Sequence, residues 1–362
     1  MKAAKRGVCL LAGTRKGAFL FRSDLRRRSW KIEGPFFAGQ EINHFMRDAH
    51  SGRLYCAVHS AWWGSDLQVS SNAGKTWRKS SAGLQFAPDR GLTLNRIWHV
   101  AAHPARPETL LCGVDPGALF RSDDAGKNWR EVAALTGHPT RSRWQPGAGG
   151  LCLHTILFDT TRPERIYVAI SAAGCFRSDD DGENWQPLNK GVRADFLPGK
   201  FPEVGQCVHK MVLHPSAPEV IFQQNHCGVY RSENAAEDWK DISKGLPSRF
   251  GFPMCVHPHE PKTIYVVPEI GAEKRYVPDG RFSVWRSRDG GRKWQELTRG
   301  LPQEHAYLQV LRDSATTDSC EEAGVYMGTN TGEIFYSRDS GDSWNLLHAH
   351  LPAVMSLEAY VV

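Results

Sequence analysis

Ser122-Asp123-Asp124-Ala125-Gly126-Lys127-Asn128-Trp129 has the form S-x-D-x-G-x-x-W, and the chain returns to it again and again. The form recurs at 178–185, 287–294 and 337–344. The copy at 70–77 keeps it with Asn72 in place of the Asp. The copy at 232–239 has Asn234 and Ala236 in place of Asp and Gly. The first copy retains only Ser23 and Trp30, with Leu25 and Arg27 between them. Successive serines lie 47, 52, 56, 54, 55 and 50 residues apart. A period of this length marks a repeat architecture, in which each repeat buries its apolar face against its neighbours.

Each copy has the same surroundings. A short apolar stretch such as Ile166-Tyr167-Val168-Ala169-Ile170 comes first, then a Gly, a second apolar stretch, the box and a Trp-led segment. Alternating β-branched and aromatic runs between Gly, Asp and Asn turns are the pattern of antiparallel strands. Within the box, Asp or Asn can bond its own turn, Gly permits positive φ, and Trp fills space against a neighbouring sheet. The box therefore reads as a structural turn between the third and fourth strands of a repeat. First strands are expected at 41–48, 94–102, 150–158, 206–213, 250–257 and 305–312. The opening repeat begins at its second strand, 8–14, and lacks a first; the C-terminal stretch 353–361 can supply it. The expected fold is all-β: a seven-bladed β-propeller of four-stranded antiparallel blades, closed by the C-terminal strand completing the first blade. Residues 1–362 then form one domain, its first blade shared between 8–35 and 353–361.

Composition agrees with a folded protein. Of 362 residues, 41% are hydrophobic and 23% charged, outside the range of disordered chains. No apolar run approaches the ~20 residues of a membrane helix, so no membrane span is expected. The start MKAAKRGVCLLAGTRKG is basic and then apolar but has no A-x-A-like cleavage site, and no leader is expected. Nine cysteines form an odd set, which fits reduced thiols in the cytoplasm better than a disulfide scaffold. The net charge of +6 comes without a long basic run, so no nucleic-acid partner is expected. G-x-S-x-G, Walker, C-x-x-C and H-E-x-x-H sequences are missing, so neither a nucleotide cofactor nor a serine nucleophile is indicated.

The boxes resemble the BNR or Asp-box repeats of sialidases, some glycoside hydrolases, sortilin-type receptors and a photosystem assembly factor. More narrowly, GTRKG at 13–17, GGLCLHTI at 149–156, VGQCVHK at 204–210 and QQNHCGVYRS at 223–232 resemble a bacterial group labelled sialidase-like or BNR-repeat glycosyl hydrolase. The resemblance implies a propeller and a hydrolase. Sialidases carry an F-R-I-P-like segment; the nearest string here, Asn95-Arg96-Ile97-Trp98, lacks the Phe and Pro. A repeat match by itself does not transfer catalysis.

The long connections at 79–94, 131–150, 188–206 and 270–283 fall on the side opposite the boxes and mark the expected working face. First strands begin there, and histidine recurs near their starts. His44 and His99 lie four residues before Asp48 and His103, and His154 and His209 five before Asp159 and His214. If these rings converge, they suit one divalent transition metal, Zn, Fe, Cu or Ni. The alternative is four separate rings bonded to backbone or water. The one-residue offset between the pairs is expected to be repaired by a bulge, because a slip turns a side chain to the other face. Cys152 and Cys207 are read as packing residues.

Second strands end at Arg15, His59, Asp115, Ser171, His226, Glu269 and Asn330. Among the catalytic candidates, His226 is a proton carrier, and Arg15 and Lys210 orient an anion. Asp115 and Glu269 are carboxylates that could pair, with Glu203 as a third. Arg141, Arg143, Trp98, Trp144 and Trp62, with Trp63, are the substrate-binding candidates. The expected function is an enzyme, a hydrolase or lyase, with a histidine-lined, metal-dependent site for a small or carbohydrate-like, anionic substrate. A metal-free glycosidase using carboxylates and a non-catalytic assembly propeller are the alternatives, and oligomeric state is left open.

Overall fold

The structure, a computed structural model, describes residues 6–362; the basic start at 1–5, where the reading of an absent leader begins, lies outside the described residues. Almost all regular structure is strand. Helix among the described residues is one turn, Ala133–Thr136, and three short 3-10 segments. The chain divides into two compact units: Met1–Phe45 with Ser243–Val362, and Met46–Ile242.

In the first unit, Gly251–Val256, Ile264–Pro268, Val284–Ser287 and Gln295–Leu297 form one four-stranded antiparallel sheet. Val310–Thr317, Val325–Thr329, Ile334–Ser337 and Asn345–His348 form another. A third antiparallel set is drawn from both ends of the chain. Val354–Val361 lies beside Gly7–Thr14, which pairs Gly17–Asp24, which pairs Lys31–Phe36. The C-terminal strand pairs antiparallel with the first, from Val8 opposite Val361 to Gly13 opposite Ser356, and after a one-residue shift Thr14 lies opposite Val354. One parallel pair, Asp313 with Ser356, joins the last two sets into an eight-stranded sheet.

The second unit repeats the same plan. Arg96–Ala102, Leu110–Asp115, Ala118–Ser122 and Arg130–Glu131 make one sheet, and Cys152–Phe158, Ile166–Ser171, Gly174–Ser178 and Gln186–Pro187 the next. Val208–His214, Ala217–Asn225, Gly228–Ser232 and Lys240–Asp241 make the following one. Leu54–Ser60, Gly64–Ser70 and Arg78–Lys79 continue from Glu41–Arg47, the strand within which the division of the units falls. Consecutive sheets share cores, as the repeat demands. Tyr55, Leu67 and Val69 are buried with Val100, Phe120 and Trp129, and Tyr167 and Cys175 with Met211, Tyr230 and Trp239.

The boxes are turns held by their own side chains. Ser122 Oγ accepts from the Gly126 amide at 2.9 Å and donates to Asp124 Oδ1 at 2.8 Å, and that oxygen accepts from the Asn128 amide at 2.9 Å. The boxes of Ser178, Ser287 and Ser337 repeat both serine bonds. Gly126 has φ 83°, a left-handed conformation open to Gly without steric cost; Ala236 adopts φ 71° at the same place in its box. The Arg before the box serine belongs to the same device, which the repeat pattern alone did not disclose. Arg121 reaches Asp181 Oδ2 at 2.6 Å, Arg177 the Ala235 carbonyl at 2.8 Å, and Arg286 the Ser340 carbonyl at 2.6 Å. Each acceptor lies in the box turn of the following repeat. Tyr55 and Tyr265 add hydroxyl bonds to the carbonyls of Ala125 and Ser340. In the degenerate first copy Arg27 occupies the Gly position with φ 52°, and its guanidinium is buried against Asp318 at 3.0 Å.

One expected strand is displaced. The repeat pattern predicts a first strand over 305–312, but the ladder occupies Val310–Thr317. Ala306 and Leu308 are drawn instead to the insertion at 270–283: the Ala306 amide bonds the Gly280 carbonyl and the Val277 amide the Leu308 carbonyl. Both side chains enter the core there, so the apolar pattern was real and the ladder assignment was not.

Candidate functional site

Three sheets of the second unit present the start of their first strand beside the end of their second. The facing pairs are Arg96 with Asp115 and Cys152 with Ser171, and the His226 amide bonds the Cys207 carbonyl at 2.9 Å. In each first strand a bulge follows two residues later. Its extra residue is Trp98 between Ile97 and His99, His154 between Leu153 and Thr155, and His209 between Val208 and Lys210. A bulge re-aims one side chain at a strand end.

This corrects the expected repair. All three strands carry the bulge, so it cannot bring His99 into line with His154 and His209; Trp98 is their equivalent, and His99 corresponds to Thr155 and Lys210. His154 does not point to a shared centre either. It is fully buried, with Nε2 on the Val208 carbonyl at 2.9 Å and Nδ1 on Thr155 Oγ1 at 3.0 Å. His44 is buried in the first unit. Among the described residues, His209 is the one of the four expected metal ligands placed in a cluster of ligand type. Its companions are Cys207 and His226, and the donor atoms of the three lie within 4.8 Å of one another.

A polar arc runs along this end of the unit. His59 Nδ1 meets Ser65 Oγ at 2.9 Å, and Ser65 donates to the Asn95 carbonyl at 3.0 Å. Asn95 Nδ2 in turn donates to Asp115 Oδ2 at 3.4 Å. Burial pushes the Asp115 carboxyl above its usual range, against the opposing pull of Asn95, Arg96 and the Leu151 amide. The connection at 147–150 lies directly on the arc. A Cβ on Gly150 would come within 2.9 Å of Asp115 Oδ2, and one on Gly147 within 2.9 Å of Ser171 Oγ. Only glycine lets the backbone approach these side chains so closely. Ser171 Oγ then meets Cys207 Sγ at 3.1 Å. The His209 and His226 rings stand edge to face at 5.7 Å, and Phe196 packs on His226 at 5.1 Å. At the turn after His59, Trp62 and Trp63 are 88% and 87% exposed.

The remaining candidates divide. Trp144, expected to bind substrate, is a core side chain: it is 5% exposed, packs on Phe176 at 4.9 Å and donates to Thr140 Oγ1 at 2.9 Å. Arg141 stacks over Trp144 and bonds the Gly117 carbonyl, which leaves it a structural part in place of an anion contact. Arg143 pairs with Glu203 on the surface. Trp98 is half-buried beneath the Arg96 guanidinium, and Lys210 is half-buried on its strand. In the first unit, Arg15 is exposed. Glu269 is buried there, accepting from Gln309 Nε2 at 3.0 Å, and Asn330 Oδ1 accepts from the Gln309 amide at 2.8 Å. Burial pushes the Glu269 carboxyl up to about 8.

A cavity of about 710 Å³ in the first unit lies elsewhere, at a box turn, lined by Arg26, Arg28 and Arg338 against Glu321, Glu322 and Asp339. Arg27 lines it too, so four guanidinium groups face three carboxylates there; the strand-end arc, which groups a carboxyl with histidines, is the better place for chemistry. Sequence reasoning read Cys207 as a packing residue and did not place it beside His226 and Ser171. The available signal was the spacing C-x-H followed by a strand-end His on the partner strand.

No family model matches the chain. It is similar to a probable oligoxyloglucan-reducing end-specific xyloglucanase of Neosartorya fischeri, 24% identical over 276 residues. That match covers 68% of this chain and 32% of the relative, so the chain spans about a third of that relative's length. Among solved structures, an ancestral GH74 enzyme superposes with a TM-score of 0.60 at 17% identity, covering 89% of this chain and 38% of the other. YCF48 bound to D1 peptide superposes with a TM-score of 0.52 at 14% identity, covering 84% and 80%. These neighbours are β-propellers, and the all-β, four-stranded antiparallel architecture is shared with them.

Proposed function

We propose that the chain is a carbohydrate-acting glycoside hydrolase built as one seven-bladed propeller of the Asp-box kind. Seven four-stranded antiparallel sets, with the C-terminal strand laid on the first, support the ring. The carbohydrate reading is carried by one observation: a polar strand-end arc holding Asp115, with two nearly fully exposed tryptophans at the same end of the unit. Exposed indoles are poor solubility choices but good platforms for the apolar face of a sugar ring. The xyloglucanase relatives support the same substrate class. Asp115, with its proton held more tightly by burial, is the general acid that protonates the leaving oxygen. Glu203, paired with Arg143 on a long connection, is the second carboxylate such chemistry requires.

The test is hydrolysis of xyloglucan oligosaccharides, aryl glycosides and sialosides by the full chain. Asp115→Asn should lower kcat by about 100-fold or more, the scale of lost acid catalysis. Wild-type activity should fall as pH rises through the elevated Asp115 titration. Paired Trp62→Ala and Trp63→Ala substitutions should raise KM while leaving kcat near its original value. A chain that neither binds nor cleaves any of these glycans would leave the assembly role as the surviving alternative.

A further inference from the structure

We propose that Cys207, His209 and His226 form a binding site for one zinc ion, at a position distinct from the four-histidine centre the spacing suggested. The three donors come from the open end of a single hairpin. Cys207 precedes the strand Val208–His214, His209 is the extra residue of its bulge, and His226 follows Asn225 on the partner strand. The backbone bond from the His226 amide to the Cys207 carbonyl pins the two strand ends together. The result is one sulfur and two imidazole nitrogens mutually within 4.8 Å, a separation that small ring and side-chain rotations bring to the donor spacing of a tetrahedral ion.

The donor set selects the metal. Thiolate and imidazole are soft to borderline ligands, which favour zinc over the oxygen-seeking magnesium and calcium. Three protein donors leave a fourth position for water or a substrate oxygen. His209 is buried while Cys207 and His226 are half-exposed, so an ion has a route in. The surroundings also supply support of the kind metal sites use. Ser171 Oγ, 3.1 Å from the sulfur, can hydrogen-bond the thiolate, and His154 holds the Val208 carbonyl between the two strand ligands.

The neighbouring sheets show that the combination is particular to one hairpin. The equivalent positions are Arg96, Trp98 and Asp115 in one sheet and Cys152, His154 and Ser171 in the next. Cys152 thus faces a serine across its hairpin where Cys207 faces a histidine. The proposal does not depend on the carbohydrate reading, since the ion would bind whether or not a glycan is cleaved.

Full-length protein stripped with a chelator should take up one equivalent of cobalt(II), used as a coloured probe. It should then show a sulfur-to-cobalt charge-transfer band in the near ultraviolet that zinc bleaches by displacement. Cys207→Ser and His226→Gln should each abolish the band, while Cys152→Ser should retain it. A measurement on the unmutated chain guards against misfolded variants. Zinc should slow alkylation of Cys207, mapped by mass spectrometry, by about tenfold or more, because metal-bound thiolate is shielded. Alkylation of half-exposed Cys320 should be unchanged. Cobalt binding without a sulfur band, or equal alkylation of Cys207 with and without zinc, would overturn the site.

Discussion

Glu269 shows how much one buried carboxyl can tie stability to pH. It is fully buried just after Ile264–Pro268, accepts a hydrogen bond from Gln309 Nε2, and its proton is held up to about 8. In the unfolded chain the same group titrates near 4.5. The folded state therefore binds a proton that the unfolded state has lost throughout the interval between these values. The stabilisation is complete below about pH 4.5 and is lost progressively as pH rises toward about 8. Glu269→Gln keeps the neutral shape and removes the ionisation. Melting curves should show the variant gaining several degrees over the unmutated chain at pH 8.5 and matching it near pH 4.5. An equal shift at both pH values would mean the carboxyl is not held protonated. At the same scale, the box aspartates run the other way. Hydrogen bonds from Asn184 and Ser178 hold Asp180 below its usual range despite burial's opposing push, so its contribution disappears in acid.

The repeating element is the box turn, and its tolerance can be measured at the fifth copy, 232–239. Ala236 has φ 71° where the matching residues Gly126, Gly182 and Gly341 have 83°, 97° and 96°. A left-handed Cβ costs roughly 1 kcal/mol, which Gly avoids, with part of the gain returned as unfolded-state entropy. Ala236→Gly should therefore raise stability by about 0.5 kcal/mol in urea titration. A loss of stability would show that the Ala methyl contributes packing that outweighs its backbone strain. The turn survives without Gly because Ser232 Oγ still accepts from the Ala236 amide at 2.9 Å and bonds Asn234 at 2.9 Å. The hydrogen-bond core of the element, more than the glycine, defines it.

For the whole molecule, the C-terminal strand carries the most weight. Val354–Val361 is paired along its length with Gly7–Thr14, and Val354 and Leu357 are buried. Deleting 354–361 would expose an unpaired strand edge on Gly7–Thr14, a template for pairing between chains. The truncated chain should aggregate and melt at lower temperature, read by light scattering and calorimetry. A monomeric truncation of unchanged stability would count against the proposed seven-bladed ring.

By itself the sequence determined what contiguous residues can encode. Seven box copies at regular spacing, the alternating strands around them and the terminal strand's partner were all legible, because turn chemistry and two-residue periodicity act over a few neighbours. Even there the segment 305–312 misled, since Ala306 and Leu308 are apolar for a loop contact and not for a ladder. The site depended on relations that no local pattern contains. A bulge in each of three first strands kept His99 out of line with His154 and His209. A carbonyl 54 residues away engaged the His154 ring. Stacking of two sheets set Ser171 beside Cys207 across 36 residues, and hairpin register brought His226 to the same sulfur. Side-chain direction at a strand end is fixed by register and by the neighbouring sheet, so only the tertiary structure could decide which histidines meet.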